Sequence, residues 1–397
     1  MKNVKRNIVV FILIAVFIAT GMFSIDYIKL FVGIPVRIAT GQNTVSDEID
    51  FLNGEIGNRL AYRGALMDVY SIALRASGTV CVKKDDDVIA VSKTGFLCTE
   101  VNEVVDEDIN DICQRTLELQ KVTHRNNAEF LYVYAPEKEY DSVLPAGVKN
   151  YSAYNHDNLM RSFESAGINT LDLAALKESE KLSTEEMYFI TDHHWKPESG
   201  FWANVKVCER LHSQFGFVYN QSVTDITNYH IETHNNIFLG SSGKKVGRYF
   251  SPLGIDDIDI ITPTFPTSLT MSIPAKEEER SGTFEEALLD YSQVDKKDLY
   301  GLNPYEVYGY NVREKIIYND KAVNDTTIVI ACDSYAICVN PFLALNTKEL
   351  HIVDMRDYKW FVGDKINLNS YIQEVNPDYV IVFYKGVRHG DGSYDFF

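Results

Sequence analysis

The segment TIVIACDSY, residues 327–335, begins as an apolar strand pattern and passes directly into polar residues. Two similar apolar runs are FLYVY at 130–134 and YVIVF at 379–383, and stretches with helical spacing separate such runs along the chain. Near-continuous apolar strands with helices between them are typical of a parallel sheet that is covered on both faces. The sequence therefore predicts an α/β fold, with a ligand site beyond the carboxyl ends of the strands.

The N-terminus has the pattern of an export signal. Lys2, Lys5 and Arg6 precede an apolar run from Ile8 to Phe23. This pattern predicts a transmembrane signal anchor within residues 1–28, and a cleaved signal peptide is the alternative. Either interpretation places the rest of the chain outside the cytoplasm, because positive charge is retained on the cytoplasmic side.

Two further parts follow the predicted anchor. Residues 29–79 are weakly periodic and are expected to form a stalk and then a helix. Residues 80–397 carry the alternation of strands and helices. Within them, residues 213–320 are polar and rich in Tyr, Asn, Ser and Thr, which predicts a long mixed insertion of strands and loops.

Charge and cysteine spacing exclude two kinds of function. The chain has 38 Lys and Arg against 56 Asp and Glu, a formal net charge of −18, and so acidic a surface repels the phosphates of nucleic acid. The six cysteines match no zinc pattern, and neither a metal nor a cofactor is expected. We expect buried free thiols, with a disulfide between Cys81 and Cys98 as the alternative.

Ser334 stands where the strand at 327–331 turns into a helix. Such a turn places a hydroxyl at the edge of the sheet and directs the N–H groups of the next helical turn toward it, which suits a nucleophile. The alternative is that Asp333 or Ser334 merely caps the helix.

A second group of polar residues is Thr191-Asp192-His193-His194-Trp195. A general base needs an imidazole that a carboxylate holds in one tautomer, and Asp192 and His194 can form such a pair within one turn. A metal site or a surface loop is the alternative. A metal would need a third ligand, and His230 and His234 form only a weak pair without an HExxH motif.

These motifs together resemble the DHHW family, relatives of the AlgX/AlgJ-like SGNH hydrolase domains of exopolysaccharide O-acetylation. The resemblance covers roughly residues 60–385. The matching segments are Tyr62-Arg63, Gly95-Phe96-Leu97, Val133 to Lys138 with Leu144-Pro145, Thr191 to Trp195, Phe238 to Ser241, Asp333 to Tyr335 and Asp354 to Tyr358.

The resemblance implies a flavodoxin-like sheet and a catalytic triad of Asp192, His194 and Ser334. In this triad Asp192 orients the imidazole, His194 acts as the general base, and Ser334 is the nucleophile. It also makes Arg356 a candidate for substrate or oxyanion contact, with an ion pair to Asp354 or Asp357 as the alternative. Trp195 and Tyr335 are candidates for stacking on sugar rings, although such residues also serve as core. The chain departs from the family at Cys332, where many relatives have Gly. It departs again at Phe383-Tyr384-Lys385, where a polar amide is expected, so the second oxyanion donor stays unassigned.

The function that the resemblance implies is serine-dependent acyl transfer, as an O-acetyltransferase or acetylesterase acting on a cell-surface polysaccharide. A separate membrane-bound O-acyltransferase is the implied partner that supplies the acyl group. The alternative is a non-catalytic glycan-binding or scaffold subunit of a surface-polysaccharide modification complex, in which the triad would be dispensable.

Overall fold

The computed structural model describes residues 63–84, 87–295, 298–309, 312–359 and 361–397. Leu74–Phe397 form one compact unit. The predicted anchor and most of the predicted stalk lie outside the described residues. Among the residues that are described, no helix is both long and apolar enough to cross a membrane.

The helices and strands follow one another in the alternation that the apolar runs predict. The α-helices are α1 Arg63–Ala76, α2 Asp106–Arg125, α3 Ser152–Ala166, α4 Leu173–Glu180, α5 Thr184–Met187, α6 Pro197–Phe215, α7 Ser241–Val246, α8 Phe284–Leu288, α9 Asn340–Ala344 and α10 Leu368–Val375. The strands are β1 Cys81–Lys84, β2 Asp87–Val91, β3 Leu97–Thr99, β4 Glu129–Ala135, β5 Thr170–Asp172, β6 Tyr229–Phe238, β7 Asp256–Pro263, β8 Leu269–Ile273, β9 Glu278–Gly282, β10 Glu314–Asn319, β11 Thr327–Cys332, β12 Glu349–Val353 and β13 Tyr379–Lys385. Short 3₁₀ helices are Lys138–Asp141, Gln221–Thr224, Ile226–Asn228, Pro274–Lys276, Tyr291–Gln293, Pro304–Tyr308 and Ser334–Cys338.

The central sheet has eight strands in the order β5-β4-β13-β11-β12-β10-β8-β9. The first five are parallel to one another, and β10, β8 and β9 continue the sheet in antiparallel pairing. The predicted α/β fold with a mainly parallel sheet is therefore confirmed. The polar segment 213–320 is part of this sheet, because it supplies the three strands β8, β9 and β10. The strands β6 and β7 of the same segment form a separate two-stranded sheet.

The order of the parallel strands corrects one detail of the predicted fold. Numbered along the chain, they lie in the sheet as 2-1-5-3-4, whereas a flavodoxin-like sheet has the order 2-1-3-4-5. If β11 is counted as the first strand and β5 as the last, the order becomes 2-1-3-4-5. The sheet is thus a circular permutation of the flavodoxin arrangement, and the strand before Ser334 takes the place of the first strand.

Each apolar run buries alternate residues on opposite faces of the sheet. In β11, Ile328 and Ile330 belong to one core and Val329 and Ala331 to the other. Helices α6 and α9 pack in the first core, and α2, α3 and α10 in the second. Because both faces are covered, a continuous apolar run is stable here, with roughly 1.5–3 kcal/mol gained per large side chain buried.

The small sheet β1-β2-β3 excludes the disulfide considered for Cys81 and Cys98. Cys81 in β1 and Cys98 in β3 are both paired with Ala90 of the middle strand. Two strand spacings separate them by roughly 9–10 Å, beyond the reach of a disulfide. All six cysteines are free thiols.

Candidate active site

Ser334 lies directly beyond β11, at the start of the 3₁₀ helix Ser334–Cys338. Asp333 is the capping residue: its Oδ1 accepts the backbone N–H of Tyr335 at 2.9 Å. Its Oδ2 accepts the backbone N–H of Lys385 at 3.0 Å and Nη1 of Arg388 at 3.1 Å. Because Asp333 caps the helix, the hydroxyl of Ser334 is not needed for that purpose.

The hydroxyl of Ser334 meets an imidazole and a carboxylate from a distant part of the chain. Nε2 of His194 is 2.8 Å from Oγ of Ser334, and Nδ1 of His194 is 2.5 Å from Oδ1 of Asp192. These distances lie in the range required of a nucleophile, a general base and an orienting carboxylate. The structure thus brings together the three residues predicted to form the triad.

Asp192 is held as an ionised acceptor. Its Oδ1 also accepts the backbone N–H of His194 at 2.9 Å, and its Oδ2 accepts that of Ser241 at 2.6 Å. Burial raises the pKa of a carboxyl, but His193, His194 and the Ser241 N–H outweigh it and hold the pKa of Asp192 well below its usual range. Gly240 lies so close to Asp192 that a Cβ atom there would overlap it, which explains glycine at this turn.

Two buried charges of opposite sign fix the segment 189–192, which carries Asp192. Lys138, which is 1% exposed, donates from Nζ to the carbonyl oxygen of residue 189 at 3.0 Å and to that of residue 192. Asp256, which is 4% exposed, accepts the backbone N–H groups of residues 190 and 191 at 2.5 and 2.8 Å. The carboxylate of the triad is therefore positioned through its backbone from both sides.

Aromatic rings surround the imidazole of His194. The ring of Tyr305 stacks on it with centroids 4.1 Å apart and planes at 18°. The ring of His193 lies 3.8 Å away at 37°, and Nδ1 of His193 is 2.8 Å from Oγ of Ser241. His194 is 7% exposed, so only its Nε2 edge is available for chemistry.

A cavity of about 320 Å³ opens at Ser334. Its lining residues are Asp192, His193, His194, Ser241, Lys244, Asn303, Ser334, Arg356, Tyr358 and Phe361. A larger cavity of about 920 Å³ lies among α3, α4 and α6 and contains no residue of the triad. The smaller cavity is the better candidate for a substrate site because it holds the reactive groups.

Arg356 forms the ion pair with Asp354 that was the alternative interpretation, and its contact with a substrate or an oxyanion stays a prediction. Its Nη2 and Nε bind the two oxygens of Asp354 at 2.5 and 2.9 Å, and the side chain also lines the cavity beside Ser334. The backbone N–H of Ser334 donates to none of the described residues and is a candidate oxyanion donor. No amide side chain from the end of β13 takes this role, because Lys385 is there and pairs with Glu137 at 3.1 Å.

Trp195 and Tyr335 require a correction. Both are buried, with exposures of 0% and 1%, so neither can stack on a sugar ring. Nε1 of Trp195 donates to the carbonyl oxygen of Tyr335 at 2.9 Å, and the hydroxyl of Tyr335 donates to the carbonyl oxygen of His193. They tie the histidine segment to the serine helix.

In the described part of the chain, a candidate metal site is formed by Asp192, His193 and His194. Their possible ligand atoms lie within 4.8 Å of one another. The fit is poor. The 2.5 Å contact between Asp192 and His194 is a hydrogen-bond distance. Two ligands at about 2.1 Å from one tetrahedral zinc ion would lie roughly 3.4 Å apart.

Sequence reasoning missed Tyr305, Lys138, Asp256 and the Ser241 N–H as parts of this site. Lys138 and Ser241 stand in segments that carry the family resemblance, which could have drawn attention to them. Tyr305 stands in the polar segment 213–320, where no local pattern distinguishes it from other tyrosines.

Comparison with known proteins agrees with the geometry. A family model described as the SGNH hydrolase-like domain of the acetyltransferase AlgX matches residues 96–233. The predicted resemblance is confirmed. The matched region contains Asp192 and His194 and ends before Ser334.

Solved structures share the fold. Bacillus cereus PatB1 with a sulfonyl adduct is 18% identical with a TM-score of 0.63, over 79% of this chain and 99% of that one. A DHHW family protein from Eubacterium siraeum is 17% identical with a TM-score of 0.53, over 77% of this chain and 92% of that one. At these identities the likeness concerns the fold. No curated protein matches the sequence.

Proposed function

We propose that this SGNH hydrolase-like protein is a serine-dependent acyltransferase or esterase in which Asp192, His194 and Ser334 form the catalytic triad. The observation that carries the proposal is the continuous hydrogen-bonded chain from Asp192 through His194 to Ser334, at a cavity on the carboxyl edge of the sheet. Two segments of the chain 140 residues apart supply this chain of contacts. A structural role alone requires no such arrangement.

In the proposed reaction Nε2 of His194 takes the proton of Ser334 as Oγ attacks the carbonyl carbon of an acyl donor. The proposed donors to the oxyanion that forms are the backbone N–H of Ser334 and the guanidinium of Arg356. The proton passes from His194 to the leaving group, and Ser334 is left as an acyl ester. A hydroxyl of the acceptor then gives its proton to Nε2 of His194 and attacks the ester. The bond between the acyl carbon and Oγ breaks, His194 returns the proton to Oγ, and the acylated product is released.

The proposed acceptor is a sugar hydroxyl of a cell-surface polysaccharide, and the proposed acyl group is acetyl. The support is the family model, whose description names the acetyltransferase AlgX. With the basic flank and apolar run at the N-terminus, we further propose a single-pass membrane protein with its α/β domain outside the cytoplasm. Its acyl donor would come from a membrane-bound O-acyltransferase.

The test compares wild type, Ser334→Ala and Ser213→Ala for labelling by a sulfonyl fluoride, hydrolysis of an activated acetyl ester and acetylation of the surface polymer. We expect Ser334→Ala to lose labelling and activity by several orders of magnitude while its melting temperature stays within a few degrees. Ser213 is exposed on α6 and serves as the matched control. A Ser334→Ala protein that restored polymer acetylation in cells lacking the native protein would favour the non-catalytic scaffold instead.

A further inference from the structure

Among the described residues, Tyr305 has the ring most nearly parallel to the imidazole of His194. It belongs to the 3₁₀ helix Pro304–Tyr308, which the segment 213–320 contributes, and it is 1% exposed. The centroids of the two rings are 4.1 Å apart and their planes differ by 18°. A contact of this kind covers one face of the imidazole and leaves its two nitrogens to Asp192 and Ser334.

The ring of Tyr305 is held in place from other directions. It meets Phe189 edge to face at 6.2 Å and 90°, and its hydroxyl lies 3.5 Å from the carbonyl oxygen of Tyr335. His193 approaches His194 to 3.8 Å. Because two rings this close cannot share one face, His194 lies between Tyr305 and His193.

We infer that Tyr305 is a positioning residue that stabilises the protonated form of His194 as it arises during acyl transfer, an inference that rests on the proposed function. The face of an aromatic ring carries negative electrostatic potential, which attracts a cation above it, and the attraction is strongest where water is excluded. The negative charge of Asp192 stabilises the imidazolium from its edge, and Tyr305 does so from its face.

The hydroxyl of Tyr305 stays protonated over the pH range in which His194 acts as the general base. Burial raises the pKa of Tyr305 well above its ordinary value of 10.0, and Cys338, Tyr335 and Asp192 raise it further. Its contribution to the site is therefore the ring and not a phenolate. A variant that keeps the ring should behave like wild type, and one that replaces it by an aliphatic group should not.

The experiment measures hydrolysis of an activated acetyl ester against pH for wild type, Tyr305→Phe and Tyr305→Leu. We expect Tyr305→Phe to stay within about twofold of wild type, because it keeps the quadrupole of the ring. Tyr305→Leu should lose about tenfold in kcat/KM at the plateau, and the acidic limb of its pH profile should move about one unit to lower pH. Both changes follow from a less stable imidazolium.

The direction of the shift separates this inference from a packing effect. A displaced imidazole would lower the rate without moving the limb, and water entering beside His194 would favour the cation and move the limb to higher pH. Either result for Tyr305→Leu would overturn the inference. An inactive wild type would instead count against the proposed function, so the two failures are distinguishable.

Fluorinated phenylalanines at position 305 provide a second measurement if the leucine variant does not fold. Successive fluorine atoms weaken the negative face of the ring with little change of size. We expect the logarithm of kcat/KM to fall steadily with the number of fluorine atoms, from the Tyr305→Phe value downward. A rate independent of fluorination would contradict a role for the face of the ring.

Discussion

At the scale of single residues, the two neighbouring histidines differ in what their nitrogens contact. His194 binds Asp192 and Ser334, whereas Nδ1 of His193 is beside Ser241. We predict that His194→Ala loses activity by roughly four orders of magnitude, because no base remains to accept the serine proton. His193→Ala should keep activity within about tenfold, since it removes a stacking partner and a contact with Ser241 but neither nitrogen of the base itself. Initial rates with an activated ester check both values, and an inactive His193→Ala protein would assign the base to the wrong histidine.

Glu198, at the start of α6, gives the fold a dependence on pH. Two carboxylate oxygens, Oε2 of Glu198 and Oδ1 of Asp259, are buried and accept no hydrogen bond from the described residues. Burial and Asp259 raise the pKa of Glu198 from its ordinary value of 4.5 to about 8, against the opposing effects of a backbone N–H and of Lys196. The folded state therefore holds a proton that the unfolded state releases.

The resulting prediction has a definite sign. A carboxyl whose pKa is raised by folding contributes stability below its unfolded pKa, and that contribution is lost as the pH rises toward the folded pKa, at about 1.4 kcal/mol per pH unit. Glu198→Gln, which cannot ionise, should gain stability relative to wild type between about pH 5 and about pH 8. Urea unfolding across this range measures the difference. Glu185→Gln, on an exposed neighbour, should show none.

At the scale of structural elements, the segment 189–192 depends on its two buried charges. Lys138→Met leaves carbonyl oxygens of that segment without a donor and Asp256 without a nearby positive charge, which should cost about 3 kcal/mol of unfolding free energy. Because the same segment orients Asp192, kcat should also fall. Urea unfolding and ester hydrolysis check the two effects. Lys149→Met, at an exposed site, is the control, and equal stability of the two variants would contradict the role of Lys138.

The strands were predictable from the sequence because burial on both faces requires apolar residues at every position, as in 327–331 and 379–383. Ser334 and His194 were predictable because their two motifs, taken together, resemble those of a known family, although the motif of Ser334 alone is equally compatible with a helix cap. The strand order and the position of Tyr305 were not, since both depend on contacts between segments distant in the chain. Trp195 was misread because an aromatic side chain has the same appearance in a sequence whether it faces a sugar or the core.

At the scale of the whole molecule, the exposed thiol of Cys81 can report on which side of the membrane the α/β domain lies. If the N-terminal run is an anchor or an export signal, a membrane-impermeant maleimide should label Cys81 in cells whose cytoplasmic membrane is intact and whose outer layers are open. Cys81→Ser removes the signal and corrects for the half-buried Cys113. Labelling that required lysis of the cytoplasmic membrane would place the domain in the cytoplasm.

The permuted strand order has a consequence for how the protein folds. β13 comes after the other described strands in the chain, yet it lies between β4 and β11 at the centre of the parallel sheet. A nascent chain that has released β4 has no neighbour for the inner edge of that strand until about 250 further residues have followed. The open edge is a site for wrong pairing in the interval. The parts of the parallel sheet on either side of β13, β5-β4 and β11-β12, can therefore join only after the last described strand has been made.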